Sequence, residues 1–140
     1  MSYTERTLTS EFAKFMRKNP KSSVIQFSFV CELKLKKGKQ RLNFKQDFQP
    51  HQIPNLLKTA NSCLYHKISD MGIGMKPFDC FNVCNLASFV GVSWYTPRKK
   101  RYLYLILVKD IKDNMDRKIK SISEDDAERI ALFKLDIKTK

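Results

Sequence analysis

Acids, glycine and long apolar runs are all scarce in this chain, and each shortage removes a class of protein. Only 14 Asp and Glu stand against 27 Lys and Arg, a formal net charge of +13 at neutral pH. An excess of that size favours a polyanionic partner, with nucleic acid the default. The 4 glycines do not fall at the spacing of a dinucleotide fingerprint. No Gly-Lys-Ser/Thr follows any of them, so there is no phosphate-cradling loop. No stretch approaches the roughly 20 apolar residues of a membrane span. No basic helix carries a broad apolar face either, so a membrane is not an expected partner. The first dozen residues, MSYTERTLTSEF, hold no apolar signal core, and secretion is not expected. There is no Cys-x-x-Cys pair among Cys31, Cys63, Cys80 and Cys84, which argues against a zinc site. Without a leader the four are expected to be reduced and mostly buried.

What remains is a globular pattern. With 42% hydrophobic and 11% aromatic residues, 140 residues suffice for one domain with a real core, spanning 1–140 with residues 1–6 loose. Thr7 or Thr9 can cap a helix running to about residue 17, with Leu8, Phe12, Phe15 and Met16 at helical spacing. Asn19-Pro20 ends it. Residues 24–36 alternate: Ile25, Phe27, Phe29, Cys31, Leu33 and Leu35 on one side, Gln26, Ser28, Val30, Glu32, Lys34 and Lys36 on the other. The turn Lys36-Lys37-Gly38-Lys39 predicts a hairpin to a short strand at 41–44. Pro50 opens a helix with Ile53, Leu56, Leu57 and Ala60 inside. A strand is expected at 63–69, a flexible turn at 70–74, and a further apolar segment through Cys84. Residues 87–95 and 102–108 form two apolar strands joined by the turn 96–101. Residues 110–120 read as a short helix or loop. Ser123 and Asp126, at capping-box spacing, open a last helix over about 123–134. The fold class is therefore α/β (α+β), a mixed central sheet flanked by helices.

Few residues carry candidate chemistry. Glu32 and Lys34 project together from one strand face, and a carboxylate beside an ammonium can hold a cation and place a water against a phosphodiester. A solvated strand that simply alternates offers the same tripeptide. Asp79 lies in an apolar strand signal, where a carboxylate needs a partner or a metal. Glu11 borders the apolar stripe of the first helix, as a first-turn dipole partner or as a contributor to a shared site. His51 and Gln52 occupy a helix first turn, beside N–H groups that favour phosphate. The cations Arg98, Lys99, Lys100 and Arg101 make either a backbone clamp or a solvated turn. Asp70 reads as a turn former and a reserve ligand. Tyr65, Trp94 and Tyr102 could stack on unpaired bases, with core packing the commoner use of such rings.

Glu32-Leu33-Lys34, followed by Phe44, Asp47-Phe48, His51-Gln52-Ile53 and Leu56, resembles the PD-(D/E)xK nuclease superfamily, in particular its RecU- and Hjc-like Holliday junction resolvases. The likeness extends over most of residues 24–135 through short motifs. It departs from the family at residue 30, which is Val where the metal-binding Asp normally lies near the E-x-K strand. A segment like the missing piece, Gly74-Met75-Lys76-Pro77-Phe78-Asp79, comes later, so a permuted site with Asp79 as the migrated acid is implied. What the resemblance implies is a restriction-endonuclease-like sheet and a magnesium-dependent endonuclease, with manganese able to substitute. It would act as a homodimer on four-way DNA junctions, in a bacterial or phage-infected cytoplasm. Glu32, Asp79 and Glu11 would bind the metal, Lys34 would orient the water, and Gln52 or His51 would steady phosphate or lysine. Lys36, Lys37, Lys39, Arg41, His51, Lys76 and Arg98 to Arg101 would hold DNA. A non-catalytic nucleic-acid binder on the same fold is the alternative.

Overall fold

Two strands that alternate between two buried faces set the frame. The computed structural model of the protein describes residues 4–18, 29–67 and 80–137. In β5 (Ala87–Tyr95) and β6 (Tyr102–Leu107) nearly every side chain is buried, whichever way it points. Strands covered on both sides read as continuous apolar runs, which is why these two were legible in the sequence. β5 is central. It pairs in parallel with β1 (Phe29–Lys37) and antiparallel with β6, and β6 pairs antiparallel with β8 (Phe133–Asp136). The order β1-β5-β6-β8 makes a four-stranded mixed sheet.

Helices flank it. On one face Val90, Val92, Trp94, Tyr104 and Ile106 pack with residues of α2 (Gln52–Asn61), α3 (Val108–Asp116) and α4 (Glu124–Ile130). On the other, Phe89, Leu103 and Leu105 pack with Leu8 and Phe12 of α1 (Glu5–Lys18). β2 (Leu42–Asn43) pairs with β7 (Ser121–Ile122), and β3 (Cys63–Lys67) with β4 (Cys80–Cys84), as two small antiparallel ladders. Among the described residues no helix is long and apolar enough to cross a membrane.

Several expectations are corrected. α1 starts at Glu5, inside the stretch read as loose, and its first turn is tied by Thr4, whose hydroxyl accepts from Thr7 N–H at 3.3 Å. The turn after Lys36 makes no hairpin ladder: β1 takes β5 as its partner, β2 takes β7, and Gly38 N–H instead bonds Tyr95 O at 2.9 Å. A parallel pair needs a long crossover, so sequence neighbours could not reveal it. The last helix stops at Ile130, and Phe133–Asp136 is a sheet strand. The Ser123–Asp126 capping box forms as read. Cys31 is a free thiol, whereas Cys63 is disulfide-bonded. Its cross-strand neighbour in the backbone register is Cys84, and antiparallel neighbours lie within the span a disulfide bridges. Burial pushes the Cys31 thiol up to about 12, so it has little thiolate character at neutral pH.

Two positions in β5 test the packing. A Cβ on Gly91 would meet Leu33 Cδ2 at 2.6 Å, Cys31 Sγ at 3.0 Å and Leu105 Cδ2 at 3.2 Å. Two residues on, Ser93 Oγ is buried with no hydrogen-bond partner. Gly91→Val should therefore lower stability by about 1–3 kcal/mol through overpacking. Ser93→Ala should leave it unchanged or raise it by roughly 1 kcal/mol, because an orphaned hydroxyl is removed. Urea denaturation followed by circular dichroism measures both, and a destabilised Ser93→Ala would contradict this packing.

Candidate active site

β1 presents Val30, Glu32, Lys34 and Lys36 toward α2, so its charged side is turned to the interior. Val30 joins the core beneath α2. Lys34 is only 8% exposed, and an ammonium so placed must be paired and hydrogen-bonded. Its Nζ lies 3.0 Å from Glu32 Oε1 and donates to Gln52 Oε1 at 3.2 Å. Gln52 Nε2 donates to Glu32 Oε1 at 2.7 Å, closing a three-membered network between strand and helix. Gln49 N–H fixes the far end, donating to Gln52 Oε1 at 2.9 Å. The Lys34 ammonium also lies 5.2 Å from the centre of the Phe48 ring, a cation–π distance. One pleat along, Lys36 Nζ donates to both Asp47 carboxylate oxygens at 2.9 Å, and Asp47 Oδ2 accepts from Asn43 N–H at 2.6 Å.

The segment between β1 and α2 builds this arrangement locally. Asp47 accepts from the Asn43 amide and Asp47 N–H returns to Asn43 O at 2.9 Å, a tight turn that delivers Phe48 to the core and Gln52 to Lys34. His51 precedes the helix, exposed, with no capping bond from its side chain.

Not every expected site residue converges. Glu32, Lys34 and Gln52 do. Glu11 does not: it lies on the α1 side, where Arg101 Nη1 and Nη2 donate to its two carboxylate oxygens at 3.1 and 3.3 Å. Both side chains are nearly buried, 10% and 13% exposed, and Arg101 also faces the Tyr95 ring. An expected metal ligand and an expected DNA contact thus neutralise each other across the molecule. Arg41 is likewise engaged, by Ser121 Oγ and O at 3.0 Å and by Asp126 at 3.3 Å. The Ser123 amide and hydroxyl hold the Asp126 carboxyl below its ordinary range. Asp79, Asp70 and Lys76 lie outside the described residues, as does the Tyr65 side chain. Trp94 is core, 3% exposed, its indole donating to Gln40 O at 2.6 Å. Tyr102 packs beside it, under Lys134 Nζ at 4.2 Å.

The structure also joins what the sequence kept apart. Gly38 and Lys39 from one turn, and Thr96, Lys99 and Lys100 from another, line the same cleft of about 670 Å³, with Trp94 and Tyr102 in its wall. Lys37, Lys39, Arg98, Lys99 and Lys100 are exposed. Lys37 lies three residues beyond Lys34 on one strand, about 10 Å away. The opposite wall is acidic, with Glu124, Asp125 and Glu128. Tyr104 OH donates to Glu124 at 3.1 Å, and burial with that carboxylate pushes the phenol well above its ordinary range. Asp47 as the Lys36 partner was missed by sequence reasoning. The signal was present: an acid eleven residues after the strand lysine, in a turn, in a chain with few acids.

Magnesium keeps several waters and asks one or two carboxylates of the protein. Among the described residues Glu32 supplies one, and no group of three acids, histidines or cysteines stands together. They fit half of such a site. No protein-family model, no curated protein and no solved structure matches the chain.

The network predicts its own energetics. Gln52→Ala removes an amide that serves Lys34, Glu32 and the Gln49 amide together, and should cost about 1–3 kcal/mol. Substituting His51, which caps nothing, should stay within about 0.5 kcal/mol. Equal losses for the two in thermal unfolding would contradict the role given to Gln52.

Proposed function

We propose that this protein is a structure-selective, magnesium-dependent DNA endonuclease that hydrolyses phosphodiesters at branched DNA, the four-way junction foremost. One observation carries the reading: Glu32, Lys34 and Gln52 are locked into a single hydrogen-bonded network on a strand face covered by a helix. A solvated, merely alternating strand would leave these groups in water. A buried lysine held beside a half-buried carboxylate by a shared amide suits a site that binds a phosphodiester. The short motifs on which the resemblance to PD-(D/E)xK resolvases rests include these three residues.

In this reading each residue has a defined task. Lys34 presents an ammonium with little conformational freedom, able to stabilise charge developing on a phosphate and to hold a water by hydrogen bond. Gln52 is a positioning residue, because its amide fixes both partners. Glu32 is the described carboxylate that would hold the metal, and Asp79 is the second acid this reading requires. Magnesium, when bound, supplies a Lewis acid and a more acidic water. The exposed cations of the two turns, Lys37, Lys39, Arg98, Lys99 and Lys100, are proposed as backbone contacts. Arg101, held by Glu11, is assigned a structural role instead. A non-catalytic nucleic-acid binder is the second reading, favoured by the single described carboxylate.

A cleavage assay on a synthetic four-way junction separates them, with duplex and single-strand controls, in magnesium, manganese and chelator. The expected result is paired, metal-dependent nicks, reduced at least about a hundredfold by Glu32→Ala while junction binding changes little. Tight binding without cutting in any metal would reject the enzyme and keep the binder. Separately, replacing Arg98, Lys99 and Lys100 with Gln should weaken binding to all sequences alike and flatten the salt slope by about one for each phosphate no longer neutralised. An unchanged slope would remove that turn from the interface.

A further inference from the structure

The two sides of α4 line two separate cavities. Glu124, Asp125 and Glu128 line the cleft of the basic turns, whereas Asp126, Arg129 and Ile130 line a second cavity of about 340 Å³. At 3.6 residues per turn the two sets fall on opposite sides of the helix. The second cavity also takes in Ile119, Ile122 and Arg41. Its wall is aliphatic and without an aromatic ring: Ile122 is buried, Ile130 half-buried and Ile119 40% exposed. The end of α3 fixes Ile119 there. Ile119 N–H bonds Asn114 O at 3.0 Å and Lys118 N–H bonds Met115 O at 2.9 Å, with Lys118 left-handed at φ 63°. These two bonds make a Schellman cap, after which an apolar residue commonly packs back on its helix; Ile119 instead remains open to solvent. The charge of the cavity is unbalanced. Its carboxylate, Asp126, accepts at Oδ2 from the Ser123 amide and hydroxyl at 2.9 and 2.7 Å and from Arg41 at 3.3 Å. Arg129 Nη2 lies 3.7 Å from Asp126 Oδ1, too far for a hydrogen bond, and its side chain is 76% exposed. Two guanidinium groups thus share one carboxylate, and that of Arg129 makes no hydrogen bond among the described residues.

We propose that this cavity docks the carboxyl terminus of a partner protein, an acidic tail whose last residue is aliphatic. Charge complementarity selects that occupant. A terminal carboxylate matches the unbonded fork of Arg129, which can hold both of its oxygens. The last side chain, if aliphatic, buries itself against Ile119 and Ile130. Acids upstream meet Lys118 and Lys120, which are exposed on either side of Ile119 in the chain. Capture of a chain end by its carboxylate is a recurring mode of peptide recognition. Nucleic acid fits less well. A phosphate would meet Arg129 but place nothing apolar on the isoleucines, and the cavity has no ring on which a base could stack. An uncharged apolar ligand would leave the guanidinium unanswered. α4 stands between this cavity and the cleft, so the tail and DNA do not compete for one surface. The proposal stands on this cavity and does not rest on the nuclease reading.

The experiment is fluorescence anisotropy on the full chain with a labelled hexapeptide, Gly-Asp-Asp-Asp-Gly-Leu, carrying a free carboxyl terminus. Its carboxyl-terminal amide and a version ending in Gly are the controls. The free acid should bind in the micromolar range, and amidation should weaken it at least about tenfold through the lost carboxylate–guanidinium bonds. Arg129→Glu should cost a similar factor. Ile119→Ser should weaken the Leu-ended peptide about fivefold and leave the Gly-ended one unchanged. Both variants change exposed residues outside the candidate active site and the cleft, and each is checked for native circular dichroism and melting. A free acid that does not bind would overturn the proposal. So would an amide that binds equally well, a comparison that needs only the wild-type chain. Arg129→Glu that weakens junction binding as much as peptide binding would make this face a nucleic-acid surface and overturn it too. Junction cleavage by the variants is read in parallel, so that a failed docking site and a failed nuclease give separate results.

Discussion

The burial of one ammonium group organises this molecule. Lys34 sits on the third pleat of β1 with its charge turned inward, where an unpaired cation would cost far more than any one neighbouring interaction returns. Glu32 on the same strand and Gln52 at the start of α2 meet that demand together. Because Gln52 must reach two strand residues, the helix N-terminus is held at one position above β1. Asp47 repeats the arrangement one pleat later by holding Lys36 and the Asn43 amide. The polar groups therefore specify where α2 docks, and Phe48, Ile53 and Leu56 then bury themselves in the place so defined. A network with every member bonded rigidifies a site.

Four acids, Glu124, Asp125, Asp126 and Glu128, gather on α4, where Glu124 takes the Tyr104 hydroxyl and Glu128 takes Lys134. Five exposed cations, Lys37, Lys39, Arg98, Lys99 and Lys100, meet in two turns at the same end of β1 and β5, brought together by parallel pairing. The cleft between those turns and α4 runs from a basic wall to an acidic one. On the opposite side of the sheet, Glu11 and Arg101 form a nearly buried pair that ties α1 to the residue before β6. That pair secures the helix covering the second core, and it explains why Glu11 borders an apolar stripe.

Much of the fold was legible, and the reasons are local. The apolar runs 87–95 and 102–107 announced buried strands, Pro50 with the Ile53 and Leu56 stripe announced α2, and the Ser123–Asp126 spacing announced a cap that forms. Glu32 and Lys34 were legible together from strand period, whereas Gln52 was marked only as a helix-start residue beside His51 and through the family resemblance. The strand after the last helix was hidden, since FKLD has only four residues and no turn signal before it. The Cys63 disulfide was hidden because a thiol pairs with whichever cysteine the tertiary fold brings near, and sequence spacing does not show that.

By itself, then, the sequence determined most of the strand and helix segments and which side of each is apolar, because period and capping act between near neighbours. Only the tertiary structure decided which charges meet. The parallel pairing of β1 with β5 gathers the two basic turns, and the docking of α2 closes the Lys34 network. The packing of α1 against the far face takes Glu11 and Arg101 out of the site. Each of these joins residues tens of positions apart, and such meetings are set by how layers pack.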